Sequence, residues 1–176
     1  MSEHKLHLYT GEGKGKTSAA MGLALRALGH GQRVLVAQFM KDGTSGELTA
    51  LSQLPGASIY PAKPISGFTF RMTLEELETA RREQTEQALL LTELIQNTQP
   101  QTVILDELGI ALSSSLVEEE AARRLLAVSL SCAETAVTGR RAPEWLHTMS
   151  DYVSVIGAEK HPYTTEGLAA REGVEW

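Results

Sequence analysis

A glycine-rich segment with two lysines and a threonine has the residue types and spacing to bind a phosphate group. Residues 10–17 read Thr-Gly-Glu-Gly-Lys-Gly-Lys-Thr, directly after a short apolar run and before a stretch rich in Ala and Leu. A glycine-rich turn between a strand and a helix points consecutive N–H groups at an anion, and the helix dipole adds positive potential. Lys16 would reach phosphate oxygens, and the Thr17 hydroxyl would hold the accompanying Mg²⁺. The segment predicts a P-loop for a nucleoside triphosphate, although Thr10 stands where the usual pattern has glycine. The alternative is a glycine-rich turn without a ligand.

An acidic pair far downstream of this segment has the position of the carboxylate that would bind the same metal ion as Thr17. Asp106 and Glu107 end the apolar run 103–105. In P-loop nucleotidases, the second carboxylate that holds Mg²⁺ follows such a strand. A glutamate beside it often orients the attacking water in hydrolases, so the pair predicts ATP hydrolysis as readily as group transfer. The alternative for Asp106 is a strand-end residue that caps the next segment.

Short apolar runs alternate with longer amphipathic stretches, and this rhythm predicts the elements that hold these residues. Thr73 is followed three residues later by Glu76, and Ser115 is followed three residues later by Glu118. Both pairs have the pattern of a capping box. Pro143 is placed for the first turn of a short helix. The predicted strands are 6–9, 34–39, 57–60, 103–105, 133–138 and 152–156, and the predicted helices are 17–28, a segment ending near 54, 73–97 and 115–129. Such alternation predicts an α/β fold of the P-loop NTPase type, with a mostly parallel sheet and helices on both faces. Neither a linker nor a repeat divides the sequence, so one domain spanning 1–176 is expected.

Composition excludes several classes of protein. The 176 residues contain 22 acidic and 16 basic side chains, for a formal charge of −6, and one cysteine, Cys132. The acidic balance argues against non-specific binding to nucleic acid or to an anionic membrane. A single cysteine cannot form an intramolecular disulfide. Apolar runs stay well below the roughly 18 residues of a membrane span, and residues 1–9 lack the apolar centre of a signal peptide. A cytoplasmic protein is therefore expected.

Ordered motifs along the whole chain resemble those of the bacterial P-loop ATP:corrinoid adenosyltransferases. Residues 10–20 resemble that family's P-loop, which also has threonine in the first glycine position. The other matching segments are 36–41 (VAQFMK, family VxQFIK), 46–47 (GE, family TGE), 67–70 (GFTF, family GFTW), 105–108 (LDEL), 138–140 (TGR), 160–163 (KHPY, family KHxF) and 167–176.

The resemblance implies transfer of the 5′-deoxyadenosyl group of ATP to the cobalt of a reduced corrinoid, with tripolyphosphate as the leaving group. A Co(I) centre is itself the nucleophile, so such an enzyme needs no activated serine or cysteine. The ATP-binding residues implied are Thr10, Gly11, Glu12, Gly13, Lys14, Gly15, Lys16, Thr17, Ser18, Lys41, Glu107 and Arg140. The residues implied for Mg²⁺ are Thr17, Asp106 and Glu107. Lys16 would also act in catalysis by stabilising the departing triphosphate.

Two aromatic residues are implied to act on the corrin ring. In the family, the aromatics of the GFTW segment press on the lower face of the corrin and displace its axial ligand, and Phe68 and Phe70 occupy those positions here. Without the resemblance, both would be read as core residues. The resemblance further implies a homodimer and an electron-donating flavoprotein reductase as partners.

Three departures from the family pattern keep other functions open. Phe70 replaces a tryptophan, Val155 stands where the family has a glutamate, and the sequence begins almost directly at the first strand, where many members have an N-terminal extension. One alternative is a P-loop ATPase or phosphotransferase. Another is a nucleotide- or corrinoid-binding regulator without turnover. His161 is either a substrate contact or a structural loop residue.

Overall fold

The computed structural model describes residues 4–41, 43–65 and 72–174, which form six strands and seven helices. Phe68 and Phe70 lie outside these ranges. In chain order the elements are β1 (Leu6–Thr10), α1 (Lys16–Gly29), β2 (Val34–Gln38), α2 (Gly46–Leu51), β3 (Ala57–Ile59), α3 (Leu74–Thr98), β4 (Thr102–Asp106), α4 (Leu108–Ser113), α5 (Glu119–Cys132), β5 (Glu134–Thr138), α6 (Glu144–Met149), β6 (Tyr152–Val155) and α7 (Pro162–Glu166).

The strands form one sheet in the order β3-β2-β4-β5-β1-β6, and every described pair is parallel. Gln38 pairs with Asp106, and Tyr9 pairs with Thr138. The carboxyl ends of β1, β2, β4 and β5 therefore meet at one edge. This is the edge at which open α/β sheets bind their ligands. The predicted parallel α/β fold is confirmed.

Two hydrophobic clusters cover the two faces of this sheet. One contains Leu35, Ala37, Val103 and Leu105 together with residues of α3 and α5. The other contains Val34, Val36 and Ile104 together with residues of α1 and α2. All five residues of β2 and of β4 are buried, as expected for parallel strands covered by helices on both sides. The predicted placement of helices on both faces is confirmed.

Helix α3 begins with the predicted capping box. Its backbone N–H at Glu76 donates to Thr73 Oγ1 at 3.3 Å, and the Thr73 N–H donates to Glu76 Oε2 at 2.7 Å. These two bonds satisfy donors that a helix start leaves without an intrahelical acceptor. The boundary at Leu74 follows from local chemistry that the sequence displays.

The second predicted capping box is wrong. Helix α5 begins at Glu119, and its N-cap residue Glu118 makes no side-chain cap bond. Residues 108–113 form an additional helix that sequence patterns did not indicate, and its end is closed by a bond from Leu116 N–H to Ala111 O at 2.8 Å. Ser115 takes a left-handed conformation in that closing turn, with φ of 57°, so it is not at a helix start.

The chain from β5 onward follows the predicted order with two local differences. Pro143 is the N-cap of α6 rather than a residue of its first turn. Helix α7 lies in a tail for which no element was predicted, and the ring of His161 caps it by accepting a bond from Tyr163 N–H at 3.3 Å. In the described ranges, the helices are too short or too polar to cross a membrane.

Candidate active site

The loop between β1 and α1 packs its backbone against the end of β6. Gly13 N–H donates to Ile156 O at 2.8 Å, and a Cβ at Gly13 would lie 2.3 Å from the carbonyl oxygen of Gly157. Only glycine permits this approach. Helix α1 then starts at Lys16 without a side-chain cap. Its first N–H groups therefore have no side-chain acceptor and are placed to bind an anion.

Lys16 lies inside this loop with 7% of its surface exposed, and its Nζ donates to Gly13 O at 2.7 Å. Burial lowers the pKa of Lys16, and the positive charge of Arg140 lowers it further, whereas Glu107, Glu12 and Asp106 oppose the shift. A cation held near a glycine-rich turn in this way is suited to bind phosphate oxygens.

Asp106 is the centre of the site, because its carboxylate accepts four side-chain hydrogen bonds while fully buried. Oδ1 accepts from Thr17 Oγ1 at 2.9 Å and from Thr138 Oγ1 at 2.7 Å. Oδ2 accepts from Gln38 Nε2 at 2.9 Å and from Lys41 Nζ at 2.7 Å. The donors come from α1, β5, β2 and the turn after β2. Asp106 therefore joins four segments, whereas the N-cap of the helix that follows is Glu107 and has no side-chain cap bond.

Glu107 is the N-cap of α4 and has a left-handed conformation, with φ of 61°, and its N–H donates to Thr138 Oγ1 at 2.9 Å. Burial raises the pKa of its carboxyl, and the negative charge of Asp106 raises it further. Lys41, Lys16 and Arg140 act in the opposite direction. The Glu107 carboxyl therefore interacts electrostatically with the cations predicted to bind phosphate, and it lies beside Asp106, which is predicted to bind the metal.

The oxygen atoms at this edge fit a magnesium ion. The Thr17 hydroxyl donates to Asp106 Oδ1 at 2.9 Å, so a hydroxyl oxygen and a carboxylate oxygen are adjacent at this edge. Across the described ranges, no group of three or more His, Cys, Asp and Glu side chains is arranged to hold a metal ion alone. Mg²⁺ is commonly bound by one or two carboxylates together with substrate phosphates. The donor set is therefore of the kind that holds Mg²⁺ with a nucleotide.

The turn after β5 brings Arg140 beside the P-loop. Arg140 Nη1 lies 3.4 Å from Glu12 Oε2, and Arg141 Nε lies 3.8 Å from Glu12 Oε1. Gly139 makes this turn possible, because it has φ of 147° and a Cβ there would lie 2.4 Å from the Ile110 nitrogen. Both ion pairs are exposed, so they contribute little to stability. The guanidinium groups of Arg140 and Arg141 therefore lie beside Glu12 of the loop.

The structure thus brings most of the predicted nucleotide residues to one edge. Thr10 is buried at the end of β1, where its carbonyl accepts from Ile156 N–H at 2.8 Å. Lys14 and Ser18 have exposed side chains on the loop and on the first turn of α1. Gly11 and Gly15 complete the turn with positive φ values of 99° and 117°.

Two residues of the site were not predicted to take part. Gln38 and Thr138 both bind Asp106, and Ser45 Oγ supports Gln38 by donating to its Oε1 at 3.1 Å. A signal was available, since both residues are polar and end apolar runs. The carboxyl ends of parallel strands meet at one edge of the sheet, so polar residues at those ends are expected to face each other.

Comparisons with known proteins agree along the whole chain. The family model described as ATP:corrinoid adenosyltransferase BtuR/CobO/CobP matches residues 2–176. A corrinoid adenosyltransferase of Pseudomonas aeruginosa is 31% identical over 172 residues, which cover 97% of this chain and 83% of the relative. A corrinoid adenosyltransferase of Escherichia coli K12 is also 31% identical over 172 residues, covering 96% of this chain and 84% of the relative.

Proposed function

Because this chain belongs to the ATP:corrinoid adenosyltransferase family, we propose that it transfers the 5′-deoxyadenosyl group of ATP to the cobalt of a reduced corrinoid. The observation that supports this proposal most directly is the junction of Thr17 with Asp106 beside Lys16. A hydroxyl, a carboxylate and a cation lie together there, and these are the groups that the binding of a triphosphate and its metal requires.

The chemical step follows from the substrates. The electron pair of Co(I) forms a bond to C5′ of the ribose, and the C5′–O bond breaks with its electron pair leaving on tripolyphosphate. No proton moves in this step, so the enzyme needs no general base. Its work is to place C5′ near the cobalt and to stabilise charge on the leaving group.

The residues around the loop are suited to that work. The first N–H groups of α1 and the Nζ of Lys16 would bind triphosphate oxygens, and Arg140 stands beside the loop. Thr17 and Asp106 would hold Mg²⁺, which supplies positive charge to the triphosphate when bound. Gln38 and Thr138 would keep the Asp106 carboxylate oriented.

Finer features of this proposal rest on the resemblance. Phe68 and Phe70 would act on the lower face of the corrin. We also propose that the protein forms a homodimer, receives electrons from a flavoprotein reductase and is located in the cytoplasm. Residues 1–176 are proposed to form one domain, which is supported by the two hydrophobic clusters that share a single sheet.

The proposal is tested with chemically reduced cobalamin or cobinamide and Mg·ATP under anaerobic conditions. We expect an adenosylated product with a cobalt–carbon bond, and tripolyphosphate in the phosphorus NMR spectrum. Absence of both products contradicts the proposal.

The same spectrum separates a second candidate, an ATPase. The observation that favours it is the Glu107 carboxyl beside Asp106 at the loop. Hydrolysis would yield ADP and phosphate, with no dependence on corrinoid. Tight ATP binding without either set of products would instead indicate a regulator.

A further inference from the structure

The P-loop contains an acidic residue, Glu12, although the loop is predicted to bind an anion. The backbone on both sides of Glu12 packs against the segment after β6. A Cβ at Gly11 would lie 2.5 Å from Ile156 O, and Gly13 N–H donates to the same oxygen at 2.8 Å. The carboxylate of Glu12 is therefore attached to a closely packed loop, and its negative charge repels phosphate oxygens. Glu12 is unsuited to bind a triphosphate by itself.

Two arginines of the turn after β5 share the Glu12 carboxylate. Arg140 Nη1 lies 3.4 Å from its Oε2, and Arg141 Nε lies 3.8 Å from its Oε1. The backbone of this turn is also closely packed, because a Cβ at Gly139 would lie 2.4 Å from the nitrogen of Ile110. The two guanidinium groups can therefore change acceptors by rotation of their side chains, without movement of the turn.

Arg140 also interacts with the lysine that is predicted to bind phosphate. Burial lowers the pKa of Lys16, the positive charge of Arg140 lowers it further, and the negative charge of Glu12 acts in the opposite direction. Arg140 is thus close enough to Lys16 for their charges to act on each other. A polyanion bound at Lys16 would consequently attract the Arg140 guanidinium as well.

The ion pair between Arg140 and Glu12 is suited to such an exchange. Its side chains are 49% and 56% exposed, and exposed ion pairs contribute little to stability, so little is lost when the pair opens. A triphosphate offers several charged oxygens, which a guanidinium can bind through two parallel hydrogen bonds. When Arg140 turns to these oxygens, Arg141 remains beside Glu12 and compensates its charge.

We propose that Glu12 and the bound polyphosphate compete for Arg140, so that Glu12 weakens polyphosphate binding and promotes release of the tripolyphosphate product. The proposal rests on the proposed function, which makes tripolyphosphate the leaving group. In its magnesium complex, fully ionised tripolyphosphate carries about one more negative charge than ATP, and repulsion by Glu12 grows with that charge. Glu12 therefore weakens the binding of the product more than the binding of ATP.

The test uses Glu12→Gln, which keeps the length of the side chain and removes its charge. The matched control is Glu119→Gln on α5, because Glu119 is 57% exposed and pairs with an arginine, Arg123, at 2.8 Å. Both variants change the net charge equally. If Glu12→Gln does not fold, Glu12→Asn removes the same charge and provides the same test.

Titration calorimetry gives the Kd of inorganic tripolyphosphate and of ATP, each with Mg²⁺, at about pH 8, where phosphate groups are ionised. We expect Glu12→Gln to bind tripolyphosphate about tenfold and ATP about threefold more tightly than the wild type. The control should change by less than about twofold. Added tripolyphosphate should also inhibit turnover of Glu12→Gln at a concentration about tenfold lower than for the wild type.

A double-mutant cycle separates competition for Arg140 from a general effect of charge. If Glu12 acts through Arg140, the substitution Glu12→Gln has less effect once Arg140 has been replaced. In an Arg140→Gln background, we therefore expect the gain in tripolyphosphate affinity to shrink from about tenfold to about twofold.

Three results overturn the proposal. They are an unchanged or weaker affinity of Glu12→Gln for tripolyphosphate, an equal gain in Glu119→Gln, and an equal gain in the Arg140→Gln background. The calorimetric measurements require no turnover, so they are independent of the test of the proposed function. A wild-type chain that binds ATP and forms no adenosylated corrinoid contradicts the proposed function, whatever the affinities of the variants.

Discussion

Lys41 Nζ lies 2.7 Å from Oδ2 of Asp106, and this ion pair joins the turn after β2 to the end of β4. The Asp106 side chain is fully buried, and that of Lys41 is 27% exposed. A carboxylate removed from water in this way depends on its donors, because loss of one leaves charge without compensation. The pair therefore holds two neighbouring strand ends in the geometry of the proposed site.

Lys41→Met tests this ion pair. We expect a loss of about 1 to 3 kcal/mol in the free energy of unfolding, measured by urea denaturation, because a charged hydrogen bond to a buried carboxylate is removed. Turnover should fall as well, since Asp106 loses a group that orients it. Lys5→Met is the control, because its pair with Asp151 at 3.2 Å is exposed at both ends and little change is expected. Equal effects in the two variants would contradict the role given to Lys41.

Thr138→Val removes a hydroxyl that connects both acidic residues of the site. Thr138 Oγ1 donates to Asp106 Oδ1 at 2.7 Å and accepts from Glu107 N–H at 2.9 Å. We expect a destabilisation of about 1 to 3 kcal/mol, because a buried carboxylate and a backbone donor each lose a partner. Turnover should fall with it.

Thr102→Val is the matched control for that change. Thr102 is buried at the opposite end of β4, where its hydroxyl donates to Gln32 Oε1 at 2.9 Å. This variant should lose stability in urea denaturation but keep its turnover. If both variants keep full turnover, Thr138 has no part in orienting the acidic pair.

Lys16→Ala tests the phosphate-binding loop. We expect kcat/KM for ATP to fall about 10² to 10³-fold, the range observed when one donor to a developing negative charge is removed. The melting temperature should not fall together with kcat/KM. Burial lowers the pKa of Lys16, so the charged amine is destabilised in the folded protein and its removal costs little stability. Calorimetric ATP binding and steady-state kinetics measure the effect. Unchanged ATP affinity and turnover would place the triphosphate elsewhere.

Glu107→Gln tests the direction of a pKa shift through stability. The pKa of Glu107 is raised in the folded protein, by burial first and by Asp106 second, so its protonated form favours folding. This contribution is fully present below the unfolded pKa of about 4.3 and is lost as pH rises through the raised folded pKa. The glutamine variant should therefore be more stable than wild type at about pH 8, and the difference in the free energy of unfolding should shrink towards about pH 4.

Urea denaturation across that pH range measures the difference between the two proteins. Turnover of the variant should fall at the same time if Glu107 binds the metal or the nucleotide. Residues that support activity at the expense of stability are common in active sites. A glutamine variant that is less stable than wild type at the alkaline end would contradict the assigned shift.

The sequence by itself determined those features that arise between neighbouring residues. The P-loop turn, the Thr73–Glu76 capping box and the buried parallel strands all follow from local spacing and composition. The family resemblance also lay in short ordered motifs, which a linear sequence displays in full. The sequence patterns did not predict helix α4, because its six residues, 108–113, are too few to show a helical period clearly.

Only the tertiary structure decided which strand ends and side chains meet. The sheet order places β4 between β2 and β5, so Asp106 binds Gln38 on one side and Thr138 on the other. In the sequence, Gln84 and Gln87 are two polar residues of an amphipathic helix. Only the packing of that helix shows that they bind the backbone of Met40 and Lys63. Hydrogen bonds between distant segments depend on the order in which the strands are placed in the sheet. The spacing of residues along the sequence does not specify that order, so it does not show which distant residues become neighbours.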